Sequence, residues 1–134
     1  MFNDADFLKF ENHPSLRDVY VGNARLTNAS FSVVVPSIPL RRLHIWGDPN
    51  ANPPQIYDLS VIAGSPTLEE LALSAGQLGD GSNGVSGNGV NDLLNLPALQ
   101  GLWYNGLSSA DVTLLTDPTN GLPTTIGHIS FGWS

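Results

Sequence analysis

One spacing of apolar residues recurs five times in this chain and narrows its possible folds more than any other feature. The pattern is apolar-x-x-apolar-x-apolar, with a proline one to three residues upstream. It occurs as Leu16, Val19 and Val21 after Pro14, as Leu40, Leu43 and Ile45 after Pro39, and as Leu68, Leu71 and Leu73 after Pro66. It returns as Leu99, Leu102 and Tyr104 after Pro97, and as Ile126, Ile129 and Phe131 after Pro123. The starts lie 24, 28, 31 and 27 residues apart, a period typical of stacked repeats. Within each segment the last two apolar positions alternate with a polar or small residue, which is the period of a strand with one buried face. The three apolar side chains of one segment then stack on those of the next, each worth about 1.5–3 kcal/mol when buried.

The strings HPSLRDVYVGN, IPLRRLHIWGD, SPTLEELALSAGQL and LPALQGLWYNGL resemble the strand segment and lead-in of the leucine-rich-repeat family. The resemblance covers nearly the whole chain. It implies an α/β solenoid of about five short parallel strands, one per repeat, in a curved sheet, with short helical and extended returns on the convex side. The family's asparagine, eight residues after the first leucine, is missing: those positions hold Ala24, Asp48, Gly76 and Leu107. No asparagine ladder is therefore expected, and the turns should be irregular. The apolar residue two positions further on survives only as Leu26 and Leu78. The alternative fold is an all-β sandwich in which the periodicity is accidental.

The returns divide into two kinds. DADFLKFEN (4–12), VNDLLNL (90–96) and DVTLLTD (111–117) read as one or two helical turns, the last with Asp111 as a cap. SFSVVVPS (30–37) and YDLSVIAGS (57–65) are β-branched and alternate, so they are expected to be extended. A Gly/Ser/Asn run at 76–91 lengthens the third repeat and reads as a mobile loop. Asp80, Ser82, Asn83 and Asp92 lie within or next to it, but Asn91 stands where a calcium loop needs its bidentate glutamate. At 134 residues the chain makes a single domain, 1–134.

Charge and composition exclude several functions. All five Lys and Arg lie in the first 42 residues, whereas eight acids and no Lys or Arg follow from residue 43. That larger part repels a phosphate backbone, which argues against nucleic acid. With no cysteine, disulfides, thiolate metal sites and a cysteine nucleophile are ruled out. No signal-peptide pattern opens the chain and no apolar run approaches the length of a membrane span, so a soluble chain without membrane insertion is expected. Its compartment stays open, virion or surface association included. His13, His44 and His128 are dispersed without metal-ligand spacing. Neither a nucleophile elbow nor a phosphate-binding loop is present. Catalytic residues, cofactors and metal ligands are accordingly not expected, and the chain does not read as an enzyme.

Two surfaces remain as candidates. On the strand reading, outward residues form columns across the repeats: Asp18, Arg42 and Glu70; Arg17, Arg41 and Glu69; Tyr20, His44, Ala72, Trp103 and Ser130; and a last one with Trp46 and Asn105. Tyr20, Arg42, His44, Trp46 and Trp103 would make the concave face a recognition surface for a protein or glycan. The second surface is the pair of ends. Phe2 and Phe7, beside Leu8 and Phe10, open the chain with a half-repeat, and Phe131 and Trp133 close it on an uncovered strand. The primary expectation is a non-catalytic protein–protein interaction and assembly module. It would be a structural subunit whose ends contact copies of itself or a larger assembly, such as a virus particle or surface layer.

Overall fold

In a computed structural model that describes residues 1–47, 57–74, 85–86, 90–105, 109–123 and 125–132, the five apolar segments form five parallel strands of one sheet. These are β1 (Asp18–Ala24), β2 (Arg42–Gly47), β4 (Glu70–Ser74), β6 (Gly101–Asn105) and β7 (His128–Gly132), and they lie side by side in chain order. Two further strands, β3 (Tyr57–Asp58) and β5 (Val85–Ser86), pair with each other in a separate two-stranded sheet. Partners across the main sheet are Asp18, Arg42, Glu70, Gly101 and His128 in one column and Val19, Leu43, Leu71, Leu102 and Ile129 in the next. The repeat spacing therefore sets the register directly.

In the main sheet each strand after β1 is entered through the same backbone joint. The Arg17 carbonyl accepts from the N–H groups of Arg41 and Arg42 at 2.7 and 3.2 Å. Arg41 does the same for Glu69 and Glu70, Glu69 for Gln100 and Gly101, and Gln100 for Gly127 and His128. A carbonyl has two lone pairs, and each of these uses both. Side chains add rungs at this end of the strands: Thr67 Oγ1 donates to the Leu40 carbonyl at 2.9 Å, and Thr125 Oγ1 donates to the Leu99 carbonyl at 2.8 Å. Threonine thus ties neighbouring repeats at the lead-in.

A second layer covers the apolar face of the sheet. It consists of α1 (Asp4–Leu8), α2 (Asn28–Ser37), a 3-10 turn (Leu59–Val61), α3 (Val90–Leu93) and α4 (Ser109–Leu115), and successive members touch in that order. The core fills the space between the layers. Leu43, Leu71 and Leu102 are 0 % exposed, and Phe7, Leu26, Phe31, Leu59, Leu93, Leu96 and Leu115 pack in the same cluster. This parallel sheet on helices is an α/β arrangement, so the all-β sandwich does not form.

Several return segments differ from expectation. Residues 30–37 are helical, within α2, despite the run Val33-Val34-Val35. Thr27 caps this helix by accepting from the Ala29 N–H at 3.2 Å. Ser30, Phe31, Val34 and Val35 bury one side of it, so tertiary burial outweighs β-branched propensity. In 57–65 only Tyr57 and Asp58 are extended before the 3-10 turn. The helices expected in 4–12, 90–96 and 111–117 do form, but position 111 is the third residue of α4 and not its cap. Of the run at 76–91, Val85–Ser86 is a strand and Val90 begins α3, while 76–84 and 87–89 lie outside the described residues with Asp80, Ser82 and Asn83. Among the described residues no helix is long and apolar enough to cross a membrane.

Asp4 joins α1 to α2. Asn3 and Asp6 cap α1 reciprocally, the Asn3 side chain accepting from Asp6 N–H and the Asp6 carboxylate from Asn3 N–H. Asp4 itself accepts from the Thr27 N–H at 2.8 Å, from the Thr27 hydroxyl at 2.6 Å and from the Ser30 hydroxyl. Burial alone would push its carboxyl up, but the bonds from Ser30 and Thr27 outweigh burial and hold it below the usual carboxylate range. The unfolded chain thus binds this proton more tightly than the folded one. The resulting stability is intact above the unfolded pKa and drains as pH falls through the lower, folded value. Asp4→Asn should cost about 1–3 kcal/mol near neutral pH, the usual penalty for losing charge-assisted bonds to partly buried hydroxyls. Urea titrations repeated at lower pH should then show the variant losing less stability than the wild type.

Candidate binding face

The sheet face turned away from the helices carries the outward residues of every strand. Its chemistry begins at the strand entrances. Arg42 lies between two carboxylates, with Nη1 3.4 Å from Asp18 Oδ2 and Nε 3.3 Å from Glu70 Oε2. Asp18 Oδ2 also takes Arg41 Nη2 at 3.3 Å, and Arg41 Nε lies 3.9 Å from Glu69 Oε2. The hydrogen bond and charge of Asp18 raise the Arg41 pKa further. Asp18 thus answers Arg41 and Arg42, while Arg17 Nη1 donates to the Leu16 carbonyl at 2.8 Å. Pairs this open to solvent add little stability. Their effect is to leave the face nearly balanced in charge and its long side chains held in place.

One step further along the strands lies a row of rings. Tyr20 and His44 have centroids 4.5 Å apart, His44 and Trp103 5.5 Å, and Trp103 and His128 4.7 Å, with Trp46 6.4 Å from His44. The row crosses all five strands, because Ala72 on β4 is small enough to lie between His44 and Trp103 and is 0 % exposed. His44 Nε2 is 3.2 Å from Glu70 Oε2. An ionised carboxylate only accepts, so that nitrogen carries the hydrogen. Tyr20 is 56 % and Trp46 43 % exposed, whereas His44 and Trp103 are half-buried.

Gly101 leaves room for the ring of Trp103. A Cβ built at position 101 would come within 2.7–2.8 Å of the six-membered ring of the indole, so the ring leans back over this glycine. No larger residue fits beneath it. Beside it opens a shallow pocket of about 440 Å³, walled by Glu70, Gln100, Trp103, Thr125 and His128.

No protein-family model, curated protein or solved structure matches the chain.

Tyr20, Arg42, His44, Trp46 and Trp103 therefore share one surface. The end residues are placed differently. Phe7 is 0 % exposed, in the core, and Phe2 packs against it edge-on at 6.0 Å and against Phe10 at 6.5 Å. This corrects the expectation that Phe7 offers apolar surface for assembly: α2 covers it. Phe131 belongs to β7, and Trp133 lies outside the described residues. His128, dismissed as dispersed, stands at the end of the ring row. Its signal was its register opposite Gly101, two positions from Trp103. Among the described residues, no group of three or more His, Asp or Glu could hold a metal ion.

Proposed function

We propose that this chain is a short leucine-rich-repeat-like solenoid acting as a non-catalytic recognition module, with the outer sheet face as its grip on a protein or glycan. The observation that carries this reading is the unbroken row Tyr20–His44–Trp103–His128 with Trp46 beside it. Aromatic rings held on a rigid sheet cost little entropy on binding and supply much of the energy at interfaces. Chain-order stacking of both layers supports the solenoid reading, since the strands pair in chain order and the covering elements touch in chain order. The test is a screen of the chain against a glycan array and a displayed peptide library. Ligands recovered should bind the variants Tyr20→Ala and Trp46→Ala about tenfold or more weakly, as truncated anchors do. Both side chains are exposed, so the fold should survive. If every recovered ligand binds both variants as it binds the wild type, the face is not the grip.

A second reading, assembly through the last strand, rests on Ile129. It is 36 % exposed, whereas its column partners Val19, Leu43, Leu71 and Leu102 are at most 7 % exposed. Contact with a second copy or a larger body would cover it. Sedimentation of the wild type beside Ile129→Asp decides this companion question: a mass that rises with concentration only in the wild type supports it, and a constant mass in both removes it.

A further inference from the structure

We infer that the pocket beside Trp103 is a subsite for one ring of a neutral saccharide, an inference that rests on the recognition reading of this face. Its walls pair an apolar plate with a polar rim. The plate is the pair of rings Trp103 and His128, 4.7 Å apart at 30°, with the indole leaning over Gly101 and His128 exposed. The rim is supplied by three neutral or neutralised groups. Gln100 is exposed and offers a donor and an acceptor. Thr125 spends its hydroxyl hydrogen on the Leu99 carbonyl, which leaves its oxygen to accept. Glu70 binds Arg42 and His44 through Oε2, so that among the described residues Oε1 is the oxygen left to accept.

The charge balance selects the ligand. A lysine or arginine side chain would need a carboxylate with charge to spare, and Glu70 already faces Arg42 at 3.3 Å. An anion would meet that same carboxylate, and among the described residues the pocket wall holds no Lys or Arg to offset it. A pyranose suits the pocket better. One face of its ring presents C–H groups that lie on an aromatic plate, and its hydroxyls ring the edge where Gln100, Thr125 and Glu70 stand. At about 440 Å³ the pocket is within the range of small-ligand sites. Its openness to solvent points to an internal or terminal residue of a chain, not to a swallowed monosaccharide.

The experiment is an NMR titration of the full chain with cellotriose, mannotriose and chitotriose in turn, and with trilysine as the cationic comparison. The indole N–H of Trp103 is assigned from the Trp103→Phe spectrum. At least one trisaccharide should shift it saturably with a Kd on the order of 1 mM, and Trp103→Ala should weaken that binding about tenfold or more. Gln100→Ala, on the exposed rim, should weaken it severalfold with an unchanged circular dichroism spectrum, which guards against a Trp103 variant that misfolds. Trp46→Ala should leave this subsite intact. No saturable shift from any trisaccharide at about 20 mM, binding indifferent to both Trp103→Ala and Gln100→Ala, or a preference for trilysine would each overturn the inference. If that happens while ligands from the screen still depend on Tyr20 and Trp46, the saccharide subsite alone falls. If those ligands are also indifferent to Tyr20 and Trp46, the recognition reading falls with it.

Discussion

Leu71→Ala should destabilise the chain by about 2–5 kcal/mol, read as a lower midpoint in urea or thermal unfolding. Leu71 sits on β4, the central strand, with Leu43 and Leu102 as its register partners, and all three are 0 % exposed. Truncation removes contacts to both neighbouring repeats at once. The strands on either side are fixed by the paired N–H bonds at their entrances, so the cavity cannot easily collapse. A cost below about 1 kcal/mol would mean that this column does not carry the core.

Phe7→Ala is expected to cost about 3–5 kcal/mol, although the residue lies on a five-residue helix seven positions into the chain. Phe7 is 0 % exposed and its ring meets that of Phe2 edge-on. An isolated helix this short has no stability of its own. Losing the aromatic anchor therefore loosens α1 as a unit, and with it the Asp4 bonds to Thr27 and Ser30. Hydrogen exchange should show the protection of α1 lost first and that of α2 reduced. An unchanged unfolding midpoint would place Phe7 outside the cooperative core.

The strands were legible because their code is local. A proline, a three-residue gap and a two-residue alternation suffice to place Leu43, Leu71 and Leu102 inward and Arg42, Glu70 and Trp103 outward. Register followed because each strand of the main sheet starts two residues after the first apolar residue of its segment. The returns were harder, because what decides them is elsewhere in the chain. Val33, Val34 and Val35 favour strand by propensity. The helix they adopt depends on Thr27 as cap and on burial against residues from other repeats. Phe7 belongs to the opening half-repeat and looks uncovered from the sequence, whereas α2 packs on α1 and buries it. The ring row was partly visible, since Tyr20, His44 and Trp103 share a column. The backward lean of the Trp103 indole over Gly101 was not, because it depends on a side-chain direction along the strand. Without it neither the pocket nor the part played by His128 and Gln100 can be seen.

Every strand of the main sheet pairs with strands from adjacent repeats, between 23 and 31 residues away along the chain. Contacts of such limited reach close small loops, which favours quick folding by zipping outward from any one repeat. They also make the gene modular. Duplicating or deleting one proline-led unit would lengthen or shorten the row of rings by one column, with the same two-bond joint on either side of the change. The breadth of this outer face can thus drift by recombination in whole-repeat steps, without any redesign of the residues that remain.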